Sequence, residues 1–113
     1  MKYQITFKET ERGIEVEVPH AISSVAILLM GDVQSNSQPW LKLINKVLRG
    51  DSNYEECTGN NCTLEINQDI TKILDNYSEE EDECVIETNE LEKIIEMWAE
   101  KIKSTVPGPI GRV

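Results

Sequence analysis

Tyr3, Ile5 and Phe7 alternate with Lys2, Gln4, Thr6 and Lys8, which is the two-residue period of a half-buried strand. Ile14, Val16 and Val18 repeat that period against Glu15 and Glu17. The polar stretch from Glu9 to Gly13 lies between them, and Gly13 is free to take a positive φ, so the pattern predicts a β-hairpin that Pro19 ends. From His20 to Gly31 two periods compete. Ile22, Val25, Ala26 and Leu29 share one helical face, with Gly31 as a cap, while Val25 to Met30 also fits a buried strand. The helix is favoured.

Gln34 to Gln38 is a polar loop, and Pro39 suits the first turn of a helix that follows. Trp40, Leu41, Ile44, Val47 and Leu48 form its apolar stripe, Lys42, Asn45, Lys46 and Arg49 lie off it, and Gly50 stops it. The next segment has the rhythm of an antiparallel meander. Tyr54 to Thr58 leads into the Gly59-Asn60-Asn61 turn; Cys62, Leu64 and Ile66 then alternate with Thr63 and Glu65 up to Asn67-Gln68-Asp69. Ile70 to Tyr77 is a third strand, although Ile70, Ile73, Leu74 and Tyr77 also fit helical spacing, and Cys84-Val85-Ile86 opens a fourth.

The last element has the strongest periodicity. Leu91, Ile94, Ile95, Trp98 and Ile102 recur at three- and four-residue steps, and Asn89 with Glu92 has the form of a capping box. The segment from Ser104, with Pro107, Gly108, Pro109 and Gly111, cannot continue this helix. The expectation is one α+β domain over residues 1–103: an N-terminal hairpin plus a meander, packed mainly on one face with two or three helices including the C-terminal one, and a flexible tail over 104–113. Trp40 and Trp98, both on apolar stripes, belong to the core, each with its indole N–H satisfied at the core edge.

Length fits this expectation, since 113 residues make one domain able to bury its own core. The longest apolar run, Val25 to Met30, is far below the ~20 residues that span a bilayer, and Met1 to Ile5 lacks the form of a secretory signal. A cytoplasmic protein is expected. Cys57, Cys62 and Cys84 are an odd number of thiols without C-x-x-C spacing, and His20 is the sole histidine, so free, buried thiols are expected rather than disulfides or a zinc site.

Charge changes the picture most. Twenty-one acidic against eleven basic residues give a net charge of −10. That field repels nucleic acid and anionic membranes and attracts basic proteins, although acidity also serves solubility alone. Catalytic constellations are missing: no nucleophile has a motif around it, and no glycine pattern cradles phosphate. The run Glu79-Glu80-Glu81-Asp82-Glu83 lacks the spacing of an EF-hand loop, so no metal and no cofactor are expected. With Asp75 and Tyr77 beside it, the run has a better use. Carboxylates around an aromatic imitate what a basic nuclease site holds, namely spaced negative charges and a stacking surface. Asp75, Tyr77, Glu79, Glu80, Glu81, Asp82 and Glu83 are therefore the expected partner-binding residues.

The order of elements supports this. Trp40-Leu41 in an amphipathic helix is followed by Gly50-Asp51-Ser52, by Gly59-Asn60-Asn61-Cys62-Thr63-Leu64-Glu65-Ile66 and by Ile73-Leu74-Asp75-Asn76-Tyr77. The acidic run, Val85-Ile86-Glu87-Thr88-Asn89-Glu90-Leu91 and the Trp98 helix complete it. Over about residues 40 to 103 the chain resembles small bacterial immunity proteins of polymorphic or contact-dependent growth-inhibition toxin systems. The resemblance implies a non-enzymatic inhibitor that binds the catalytic domain of a cognate toxin, often a nuclease, and it carries over no binding residue. The alternative is an acidic structural or regulatory subunit that acts by homo-oligomerisation.

Overall fold

A computed structural model describes residues 2–78 and 84–105. Strands β1 (Thr6–Thr10) and β2 (Gly13–Glu17) pair antiparallel as a two-stranded sheet, with Phe7 opposite Val16 and Glu9 opposite Ile14. The turn is narrower than the sequence suggests. Glu9 and Thr10 belong to the strand and only Glu11 and Arg12 lie outside it, with Gly13 at φ +123° as the turn exit. The Thr10 hydroxyl donates to the Gly13 carbonyl and accepts from the Arg12 N–H, which closes that turn.

Residues 20–33 are helical throughout. A 3-10 turn (His20–Ile22) leads into α1 (Ser23–Ile27), which continues as a π-helical stretch (Leu28–Val33). Gly31 does not cap this helix. It lies within the π turn, and the chain leaves at Gln34, which takes φ 50° in its place. After it, α2 (Gln38–Leu48) buries Trp40, Ile44 and Val47.

The second sheet has four antiparallel strands in the order β3 (Tyr54–Thr58), β4 (Cys62–Asn67), β5 (Ile70–Asp75) and β6 (Cys84–Glu87). Segment 70–75 is therefore a strand, and its helical spacing is coincidental, because it pairs with β4 on one side and β6 on the other. Cys62, Leu64, Ile66, Ile73, Cys84 and Ile86 are buried on one face, and α1, α2 and α3 (Thr88–Thr105) all contact these strands. Leu91, Ile94, Ile95 and Trp98 of α3 fill the space between sheet, α2 and hairpin. This is the α+β class expected, with the hairpin as a sheet of its own.

Two boundaries of α3 differ from expectation. The helix begins at Thr88, so Asn89 sits exposed inside the first turn and is not its cap. The start is fixed by tertiary bonds: the Thr88 hydroxyl donates to the Asn67 carbonyl, the buried Thr71 hydroxyl lies 2.8 Å from it, and the Thr88 N–H donates to the Asp69 carbonyl. Since Thr88 has one hydroxyl proton, Thr71 is the donor in that pair. At the other end the helix includes Ser104 and Thr105, which the proline- and glycine-rich tail was expected to take. Residues 106–113 of that tail lie outside the described residues.

Candidate functional site

One end of the four-stranded sheet is built by three neighbouring segments. The turn between β3 and β4 is held against the π-helical stretch by Asp32, whose carboxylate accepts from the Asn61 N–H at 2.8 Å, the Asn61 side-chain amide at 3.1 Å and the Cys62 N–H at 2.8 Å. The approach depends on two glycines. A Cβ on Gly59 would lie 2.7 Å from the Asp32 carboxyl carbon, and one on Gly31 would lie 2.4 Å from the Asn61 amide nitrogen. Beside this clasp, the end of β5 is tied back by the Asn76 N–H to the Asn61 carbonyl and by the Thr63 hydroxyl to the Asn76 side chain.

Two of the residues expected to bind a partner, Asp75 and Tyr77, lie at this braced end. Asp75 is half-buried opposite Cys62, and its carboxylate accepts the Tyr77 N–H at 3.0 Å. Tyr77 is 75% exposed, which leaves its ring open to a partner. Asp75 and Tyr77 are thus brought together at the sheet's end. Glu79, Glu80, Glu81, Asp82 and Glu83 lie outside the described residues. Below this end, the Cys62 thiol is pushed up to about 12, first by burial and then by the charges of Asp32 and Asp75. Cys84 is likewise buried and Cys57 half-buried, and all three are free thiols. His20 is exposed on its 3-10 turn.

Pattern along the chain did not single out a second surface, the outward face of the same sheet. In register, Glu56 stands opposite Glu65 and Glu65 opposite Lys72, which in turn stands opposite Val85. Tyr54, Ile70 and Val85 on this face are 44%, 39% and 41% exposed. The Tyr54 hydroxyl donates to Glu56 at 2.9 Å, and this bond to a carboxylate raises the phenol's pKa above its ordinary value. The signal for this face was the alternation in each strand, but only strand pairing brings the four rows together.

The N-terminus provides a third charged cluster. The Lys2 ammonium and the Tyr3 hydroxyl both meet the Glu87 carboxylate, and the Lys2 N–H donates to Glu90. Glu87 is held at about 2, well below the usual carboxylate range, chiefly by the Lys2 and then the Tyr3 hydrogen bond. Glu87 and Glu90 are thus paired within the protein. Among the described residues no group of acids, cysteines and histidine converges as a metal site, and no helix is long and apolar enough to cross a membrane.

The described residues thus form an α+β fold with a braced sheet end, an exposed Tyr77 and partly exposed large side chains on the outer sheet face, in a chain of net charge −10. An immunity protein of Bacillus cereus is 36% identical to the chain over 111 residues, which are 96% of this chain and 95% of the relative. The chain belongs to that immunity-protein family. No protein-family model matches the sequence, and no solved structure does.

Proposed function

We propose that this protein neutralises a cognate bacterial toxin by stoichiometric binding, that the toxin is a basic nuclease domain, and that the pair belongs to a polymorphic or contact-dependent growth-inhibition system. The observation that carries the inhibitory role is the full-length similarity to an immunity protein. The charge of −10 supports a basic target, because opposite fields accelerate encounter and a nuclease site must be basic to hold phosphates. The binding residues are Asp75 and Tyr77 at the sheet's end together with Glu79, Glu80, Glu81, Asp82 and Glu83. Tyr77 serves as the aromatic anchor and the acids as the steering charge. The inhibitor acts in the cytoplasm, where an incoming or newly made toxin meets nucleic acid.

Co-expression with the protein encoded directly upstream tests this. The upstream toxin domain alone should arrest growth, and this chain should restore it. In vitro, nuclease activity should fall to zero at one equivalent. Growth arrest that persists at excess inhibitor would overturn the assignment. Inhibition of a toxin with no nuclease activity would retain the immunity role and remove the nuclease target.

A further inference from the structure

The outward face of the four-stranded sheet is built unlike a solvated surface. Three large apolar side chains, Tyr54, Ile70 and Val85, stand more than a third exposed on it, while the opposite face packs against the helices. Glu56 and Glu65 oppose each other across β3 and β4, an arrangement in which like charges repel at Cβ separations of about 5 Å. Lys72 stands opposite Glu65 on β5, and the Tyr54 hydroxyl bonds Glu56. The face runs without a break into the Asp75–Tyr77 end, since Thr63 on β4 is bonded to Asn76 at 2.8 Å.

Area points the same way. Four strands about 4.8 Å apart and about five residues long present a footprint of roughly 300 Å². A stable complex needs about 800 Å² from each partner, more than one loop supplies. The sheet face adds its footprint to what the sheet's end presents.

We propose that the outward sheet face centred on Tyr54, Glu56 and Glu65 docks the basic surface of the cognate toxin, with an Arg or Lys of the toxin seated between the two opposed carboxylates. This rests on the immunity function above and extends its contact surface beyond the acidic loop. The occupant is a cationic protein: a partner cation relieves the Glu56–Glu65 repulsion, Tyr54 and Val85 supply the apolar contact around it, and a second copy of this chain would bring like charge to like charge.

The test is the Glu56→Gln/Glu65→Gln double variant, titrated by calorimetry against the purified toxin domain encoded directly upstream at physiological salt. Thermal melting and sedimentation of each protein are measured in parallel. Binding should weaken at least tenfold with the melting temperature unchanged or raised, because the exchange removes a repulsion from the free protein. Tyr54→Ala should weaken binding as well, mainly by faster dissociation. Affinity within twofold of the unaltered protein would overturn the proposal, and if neutralising Asp75 and Glu79 to Glu83 still abolished binding, the immunity function would stand on the sheet's end alone. A dimer of the unaltered protein that the double variant dissociates or tightens would also overturn it, since the face would then join copies of this chain. Absence of any complex with the unaltered protein would overturn both the docking face and the toxin assignment.

Discussion

The indole N–H of Trp98 donates to the backbone carbonyl of Gln34 at 2.7 Å, across 64 positions of sequence. Gln34 is where the π-helical stretch ends at positive φ, so Trp98 of α3 ties that helix end to the C-terminal helix. Trp98 is 2% exposed and lies 6.3 Å from the Phe7 ring, centroid to centroid, so it also joins the hairpin to the helical layer. Trp98→Ala should therefore cost about 3–5 kcal/mol in denaturant unfolding. Trp98→Phe should cost less, yet still leave the Gln34 carbonyl without its donor. A melting curve unchanged in Trp98→Ala would remove this residue from the core.

The Asp32 clasp predicts a second pattern. Asp32→Ala deletes three hydrogen bonds and leaves the Asn61 and Cys62 N–H groups without their acceptor, which should cost about 2 kcal/mol or more. Gly59→Ala should destabilise as well, because its Cβ would strike the fixed Asp32 carboxyl group. Both changes should loosen the sheet's end and weaken partner binding. Amide exchange at Asn61 and Cys62 reports the loosening directly, and unchanged protection in Asp32→Ala would contradict it.

Much of this fold is legible along the chain. Leu64 and Ile66 alternate cleanly with polar neighbours, and Leu91 to Ile102 hold a helical period, because each element buries one face and the period follows from its geometry. The misplaced features are those that long-range contacts decide. Gly31 looks like a helix stop but is kept small for Asn61. Asn89 and Glu92 look like a cap, but Thr88 is set by Asn67, Asp69 and Thr71. Ile70 to Tyr77 fits both periods, and two flanking strands settle it. Of the proposed binding surface, the acidic run and Tyr77 are visible as local charge and aromaticity. The Glu56–Glu65 opposition is invisible until β3 and β4 pair.

The N-terminal cluster makes stability depend on acid. Glu87 sits at about 2 when folded, below its unfolded value of about 4.3. A depressed carboxylate contributes stability that is complete above the unfolded pKa and is lost as pH falls through the folded one. Glu87→Gln removes this contribution. The difference in urea midpoint between the unaltered protein and Glu87→Gln should be constant above about pH 5 and shrink between about pH 4.5 and pH 2. A difference that does not change across that window would show that Lys2 and Tyr3 do not hold Glu87 ionised.

The thiols should react in order of burial. Burial raises all three thiols, but Cys62 at about 12 has almost no thiolate at pH 8 and Cys84 is also buried, whereas Cys57 is half-buried and reachable by reagent. Brief alkylation of the native protein at pH 8, read by peptide mass, should label Cys57 first and leave Cys62 for last. All three should label in denaturant. Rapid native labelling of Cys62 would mean that the sheet's inner face opens.

Capture of a basic toxin through Asp75, Tyr77 and Glu79 to Glu83 is the proposed mode of action of this acidic immunity-family protein. Association and dissociation rates with the upstream-encoded toxin domain, measured at low and physiological salt, test it most directly. Neutralising Asp75 and Glu79 to Glu83 to Asn or Gln should slow association and flatten its salt dependence, because long-range attraction acts before contact. Tyr77→Ala should leave association nearly intact and speed dissociation, because an aromatic anchor holds the docked state. Wild-type association rates for the neutralised protein at both salt concentrations would contradict the claim.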